Sequence, residues 1–361
     1  MPTPVFPKLP IRITKLSEIW MVRDDLLPFG FGTKWRKVLG IVESLQKNQI
    51  KKVLLWGAIH GNYLASFTTI LRYFGFQMET ISYTKDPKLK TYNERLVNLH
   101  SHSMHCYANR KEAEKSFFER SKTFDGLCLQ EFGIHPAQST GLRSFWQELE
   151  SEIHKILKVT HTGLKADKRS NNVNNSHAKV ATLVLEIGSG ASFVSAFDYF
   201  YDSSILVLGV MVGESKSSWI SKIETLQKEL HLKIQKIPKE SILEFPKDTS
   251  SQYANRNQFG TANSNFGTLK GVRFAKTSKD HINWIREFYQ KTDIILEPIY
   301  SAKSISNLMQ DPNYGDTALK NSFFQIQKDF LPILYQNLPL FYLHQGGQIQ
   351  HSDFVLKNSL E

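Results

Sequence analysis

The segment Gly188-Ser-Gly-Ala-Ser192 follows an apolar run, Ala181 to Ile187, and precedes a second apolar stretch, Phe193 to Phe200, that reads as a helix. Glycines let backbone N–H groups close on a phosphate, the helix N-terminus adds partial positive charge, and the hydroxyl of Ser189 or Ser192 adds a donor. Taken alone, the same residues are equally a plain strand-to-helix turn. A second segment, Gly32-Thr-Lys34-Trp-Arg-Lys37, comes after Arg23-Asp-Asp25. A lysine attacks a carbonyl only as the neutral amine, so a reacting lysine must sit in a partly desolvated place. A solvated lysine at a helix start is the ordinary alternative for Lys34.

These candidates need elements to hold them. Trp35, Val38, Leu39, Val42 and Leu45 recur at i, i+3, i+4, i+7 and i+10, the period of an amphipathic helix with Lys34 in its first turn. From Lys52 onward, short apolar runs alternate with stretches of helical period, the pattern of α/β units around mainly parallel sheets. Lys52 to Trp56, Glu79 to Tyr83, Met104 to Tyr107 and Gly126 to Glu131 are predicted strands, and Tyr63 to Tyr73, Lys111 to Ser121 and Thr140 to Leu157 predicted helices. Sheet-like runs resume at Ala181 to Ile187 and Ile205 to Met211. The asparagine-rich stretch 163–177 is expected to be a solvated insertion or linker, and 247–268 a long loop of the kind that borders a site.

Composition limits the function classes. With 361 residues the chain has the length of two ordinary domains, and 41% hydrophobic and 22% charged residues are those of a soluble globular protein. Pro2, Pro4, Pro7 and Pro10 interrupt the start where a secretory signal needs an unbroken apolar stretch. The longest clean apolar run, Ile205 to Val212, is far short of a membrane span, so a cytoplasmic location without membrane attachment is expected. Cys106 and Cys128 have no CxxC or Cys/His spacing, which argues against a disulfide scaffold or a metal site. The net charge of +11 is spread along the chain without an arginine-rich arm or an RNP-type aromatic motif, and reads as a basic surface rather than as nucleic-acid binding.

Arg23-Asp-Asp25, Gly32-Thr-Lys34-Trp-Arg-Lys37, Gly57-Ala-Ile-His-Gly-Asn62, Gly188-Ser-Gly-Ala-Ser192, Glu297-Pro-Ile-Tyr300 and His344-Gln-Gly-Gly347 occur in this order. The set resembles, over nearly the whole chain, the motif order of the 1-aminocyclopropane-1-carboxylate deaminase / D-cysteine desulfhydrase family. The resemblance implies a two-domain α/β fold of the tryptophan-synthase-β type, fold type II among pyridoxal 5′-phosphate (PLP) enzymes. Mainly parallel sheets would be flanked by helices, with a small domain (47–157) inserted in a large one (1–46 and 158–361), PLP in the cleft between them, and a homodimer as the usual assembly. Lys34 is then the Schiff-base lysine and proton shuttle, and Asn62 the partner of the cofactor's phenolic oxygen. Gly188, Ser189, Gly190, Ala191 and Ser192 form the phosphate cradle, and Tyr300 stands near the reacting carbon, where a phenol can orient substrate or exchange a proton. A buried aromatic at a helix start is the plainer alternative for Tyr300.

The departures from the pattern bear on the activity. Gly61 stands where the family has a serine whose hydroxyl reaches the substrate, and His60 replaces a glutamine, either as a new polar contact or as an exposed loop histidine. Gln345 replaces a threonine facing the pyridine nitrogen, and Ser301 stands where the deaminases carry glutamate and the desulfhydrases threonine. A neutral Ser301 implies a weaker electron sink. Because ring opening of the cyclopropane amino acid draws on that serine and glutamate, the resemblance favours β-elimination from a small amino acid such as D-cysteine, giving pyruvate, ammonia and sulfide. Cyclopropane deamination, a PLP-holding protein with little catalysis and, last, a nucleic-acid-binding protein are the alternatives.

Overall fold

A computed structural model describes residues 9–163, 178–244, 279–310, 325–326, 331 and 337–349. The polar stretches expected at 163–177 and 247–268 lie outside them, apart from Gly163. Strands β1 (Ile13–Leu16) and β2 (Ile19–Val22) form an antiparallel hairpin, α1 (Lys34–Lys47) follows, and a four-stranded parallel sheet comes next. That sheet consists of β3 (Lys52–Ala58), β4 (Gln77–Tyr83), β5 (Ser103–Tyr107) and β6 (Leu127–Leu129) in the order β5-β4-β3-β6, connected by α2 (Asn62–Tyr73), α3 (Tyr92–His100) and α4 (Arg110–Ser121). The long helix α5 (Pro136–Gly163) leads to β7 (Ala181–Ile187), α6 (Ala191–Phe200), β8 (Ile205–Met211), α7 (Lys216–Ile220), α8 (Ile223–Glu229) and β9 (Ile242–Glu244). The last elements are α9 (Lys279–Thr292), α10 (Ser301–Leu308), the two-residue pair β10 (Met309–Gln310) and β11 (Gln325–Ile326), and β12 (Leu340–Leu343). The second sheet has the order β1-β2-β12-β7-β8-β9, parallel except at the hairpin.

The two-sided burial of β7 explains its nearly continuous apolar sequence. Leu183, Leu185 and Ile187 pack with Leu142, Trp146 and Leu149 of α5 and with Phe193 of α6. Val184 points to the other face, with Leu208, Val210 and Tyr342, under α9 and α10. Strand alternation therefore sends Thr182 and Glu186 toward that second face as well. Full burial of a side chain such as Leu185 or Phe193 is worth about 1.5–3 kcal/mol, so each face is held by many such contributions.

Helix α1 packs Trp35, Val38, Ile41, Val42 and Leu45 with Val53 and Leu55 of the four-stranded sheet and Leu64 of α2. Helix α5 packs on the six-stranded sheet instead. The helix bearing Lys34 thus shares a core with the small sheet, and the helix expected to close the small domain shares one with the large sheet. The two helices meet backbone to backbone: a Cβ on Gly40 would fall 2.1 Å from the Ala137 carbonyl oxygen, and one on Gly141 would fall 2.2 Å from that of Arg36. This crossing is the seam between the halves. No helix among the described residues is long and apolar enough to cross a membrane.

Candidate active site

Helix α1 opens with Lys34, Arg36 and Lys37 in its first turn, where positive charge opposes the helix dipole. Buried Asp24 compensates. It accepts a fork from Arg36, with Nε at 2.9 Å and Nη2 at 2.7 Å, and the Thr33 hydroxyl donates to it at 3.2 Å. Arg23 forks onto Asp25 with two bonds of 2.8 Å. On its other side the turn is closed by backbone, since Thr33 N–H donates to the Gln345 carbonyl at 3.2 Å and Gly347 N–H to that of Gly30 at 2.6 Å. Gly32 has φ +58°, and a Cβ there would fall 2.0 Å from the Gln345 carbonyl oxygen, so only glycine fits.

Held in this way, Lys34 is partly buried, and desolvation lowers its pKa against the upward pull of Glu297 and then Glu186. Lys37, three residues on, is brought down to about 7 by burial and by the charge of Lys34. Its amine has no hydrogen-bond or ion-pair partner among the described residues. Two buried carboxylates act on Lys34. Glu297 is pushed up to about 7 by desolvation, although the N–H groups of Ile299, Ser301 and Tyr300 all donate to it. It caps the start of α10 from inside the site. Glu186 is pushed up to about 8, again by desolvation, although the Tyr342 hydroxyl donates to one carboxylate oxygen and Gln345 Nε2 lies 3.3 Å from the other.

The remaining expected residues divide by placement. Asn62, the first residue of α2, accepts at Oδ1 from Nδ2 of buried Asn93 at 3.0 Å, which leaves its own Nδ2 as a donor. That Nδ2 lies 3.0 Å from where a Cβ on Gly347 would stand, and Glu297 Cγ lies 3.2 Å from the same point. The Tyr300 ring lies against Gly188, its Cε1 3.4 Å from a Cβ built there. Burial, then Glu297 and Glu186, raise the Tyr300 phenol, which stays protonated. At the start of α6, Gly190 adopts φ +87° beside Trp219, and no side chain caps the helix. Ser192 Oγ is buried there without a hydrogen-bond partner among the described residues. Lys34, Asn62, Gly188 to Ser192, Tyr300 and Gln345 thus converge on one place.

Other residues are occupied elsewhere. The Ser301 hydroxyl accepts from Glu297 N–H at 2.8 Å and faces its carbonyl at 3.2 Å, which ties it into the helix start. The His60 ring nitrogens sit 3.0 Å from the hydroxyls of Thr91 and Thr84, bracketed between two loop residues. Gly61 contributes backbone alone, and a Cβ there would come within a tight 3.1 Å of the Ala58 carbonyl oxygen. His344 accepts at Nδ1 from Gly346 N–H, so Nε2 carries the proton and donates to the Ile295 carbonyl at 2.9 Å. A separate cavity of about 760 Å³ at the α1–α5 seam, lined by Glu43, Lys47, His135 and Arg143, includes none of the converging residues.

Sequence reasoning missed Glu186, Glu297 as a carboxylate facing the lysine, Lys37 as a depressed amine, and Asn93. Only Glu186 carried a signal, as the one charged residue in an otherwise apolar strand running into a glycine loop.

No family model matches the chain, and no curated protein matches it in sequence. Solved structures do match. An ACC deaminase homologue superposes with a TM-score of 0.61 at 16% identity, over 97% of this chain and 94% of that one. A pyridoxal 5′-phosphate-dependent aspartate racemase gives 0.55 at 10% identity, over 95% and 91%. A hydrogen sulfide-producing enzyme from Fusobacterium nucleatum gives 0.50 at 14% identity, over 95% and 96%. These likenesses show the fold: the α/β arrangement of mainly parallel sheets flanked by helices is that of fold type II.

Proposed function

We propose that the chain is a PLP-dependent enzyme that eliminates a β-substituent from a small amino acid, with D-cysteine as the model substrate and pyruvate, ammonia and sulfide as products. The observation that carries this reading is a partly buried lysine of lowered pKa beside an uncapped helix N-terminus whose buried Ser192 hydroxyl has no partner among the described residues. An orphaned donor next to unsatisfied helix N–H groups fits a phosphate. The chemistry such a cofactor supplies is an aldehyde that takes an amine and a conjugated ring that accepts the electron pair left when a bond to the substrate Cα breaks.

This chain's residues supply the rest. Gly188 to Ser192 hold the phosphate through N–H groups. Lys34 reacts as a neutral amine because burial disfavours its ammonium form, and its released Nζ takes the Cα proton. Asn62 donates through the Nδ2 that Asn93 leaves exposed to the site. Tyr300 keeps its proton and orients substrate by donating it in a hydrogen bond. Gly61 supplies no hydroxyl and Ser301 no carboxylate, so neither motif position carries the group that the resemblance assigns to cyclopropane opening. Gly61 also motivates the second reading, a PLP-binding protein with little catalysis.

Pyruvate, sulfide and 2-oxobutyrate formation, followed on one PLP-loaded preparation offered D-cysteine and 1-aminocyclopropane-1-carboxylate, separates these readings. Pyruvate and sulfide from D-cysteine, with negligible 2-oxobutyrate, are expected. Faster turnover of the cyclopropane substrate reverses the choice of reaction, and cofactor binding without turnover of either favours the binding protein.

A further inference from the structure

Two carboxylates stand by Lys34, and of the two Glu186 keeps the more accepting capacity. Glu297 receives three backbone N–H groups, and Ser301 is tied to Glu297. Tyr342 donates its proton to Glu186, while Gln345 Nε2 donates to the Glu186 carbonyl at 2.8 Å and approaches its carboxylate. A carboxylate offers about four lone-pair positions, so two donors leave open positions on both oxygens of Glu186. The side chain is 5% exposed and leaves β7 on the α10 side, two residues before the glycine loop begins.

The charge balance points the same way. Its two donors, a phenol and an amide, are neutral, and the cation acting on Glu186 is Lys34. Once the lysine amine is taken up in a covalent bond, a buried carboxylate needs another proton or positive charge beside it. A PLP ring fixed by its phosphate at Gly188 to Ser192 and by its aldehyde carbon at Lys34, with Asn62 at the phenolic oxygen, has one polar atom unmatched. That atom is the ring nitrogen, across the ring from the aldehyde.

We propose that Glu186, held by Tyr342 and Gln345, is the residue that faces the ring nitrogen of the cofactor and keeps it protonated. This rests on the PLP reading above. A carboxylate sharing a proton with a pyridine nitrogen forms a charge-assisted hydrogen bond and strengthens the ring as an electron acceptor, which restores what a neutral Ser301 does not supply. Lys34 and Glu297 both act on the Glu186 carboxyl, the lysine favouring its ionised form and the second carboxylate opposing it.

The test uses full-length protein loaded with PLP carrying heavy nitrogen in the ring, and reads the ring-nitrogen resonance by NMR. Wild type should show the protonated position, and Glu186→Gln should move the resonance to the unprotonated one. Tyr342→Phe, which removes a donor but leaves the carboxylate, should keep the protonated signal. A second readout is binding of a PLP analogue with C–H in place of the ring nitrogen. Wild type should bind it about tenfold or more weakly than PLP, and Glu186→Gln should narrow that gap. Should Glu186→Gln fail to fold, an unprotonated ring nitrogen in wild type alone overturns the inference, as does an unchanged resonance in a folded variant. If PLP does not attach at Lys34, the functional reading and this inference fall together; if it attaches with an unprotonated nitrogen, only this inference falls.

Discussion

On one side of Lys34 the wall is backbone: Gly30 to Thr33 lie on the carbonyls and N–H groups of Gln345 to Gly347, and α6 presents its uncapped N-terminus. On the other side it is side chain: Glu186 is hydrogen-bonded to Tyr342 and Gln345, Glu297 takes the N–H groups at the start of α10, and Asn62 accepts from Asn93, so strands and loops far apart in sequence supply it. The first wall dictates residue type through space and dihedral angle, and tolerates little. The second admits different side chains for one task, provided every donor and charge finds a partner. A site can therefore keep the motifs of the backbone wall while changing the chemistry of the side-chain wall, and this chain shows both.

The comparison breaks first if the backbone wall proves tolerant. Asp24→Asn should have the largest effect, because it leaves the buried Arg36 guanidinium without its counter-charge at the start of α1. A loss of about 3–5 kcal/mol is expected by denaturant unfolding. A loss below about 1 kcal/mol would mean that the clamp does not hold this turn. Gly32→Ala should follow, with about 2–3 kcal/mol from strain at positive φ and from the contact with the Gln345 carbonyl. Unchanged unfolding of this variant would show that the two loops part without penalty.

Ser192→Ala should have the smallest effect on the fold, and one of opposite sign. Removing a buried hydroxyl that has no partner among the described residues should leave the cofactor-free protein equally stable or more stable by up to about 1 kcal/mol. PLP binding should meanwhile weaken about three- to tenfold. Lower stability with unchanged PLP affinity would remove Ser192 from the cradle.

What was legible in the sequence follows the same division. Ala181–Ile187 and Ile205–Met211 were predicted to their observed ends because strands buried on both faces are nearly continuous apolar runs. Lys34 at a helix start was readable from helical period and its glycine. Helix α5 begins at Pro136 rather than at Thr140, since proline suits a first helical turn. Strand β6 stops at Leu129 because the chain turns at once through Phe132 with φ +65°. Strands β2 and β12, four residues each, gave too short a signal and take their identity from each other and from β7. The role of Asn93 was invisible because it depends on a hydrogen bond to a residue 31 positions away. Ser301 was read as a group facing the cofactor, and only the structure shows its hydroxyl engaged with Glu297.

The central claim is that Lys34 is the amine this fold desolvates for covalent chemistry. Borohydride reduction of the protein incubated with PLP, followed by peptide mapping, tests it most directly. The account predicts a pyridoxyl group on Lys34 and none in Lys34→Ala; stable labelling of Lys37 or of a surface lysine, with Lys34 unmodified, would contradict it.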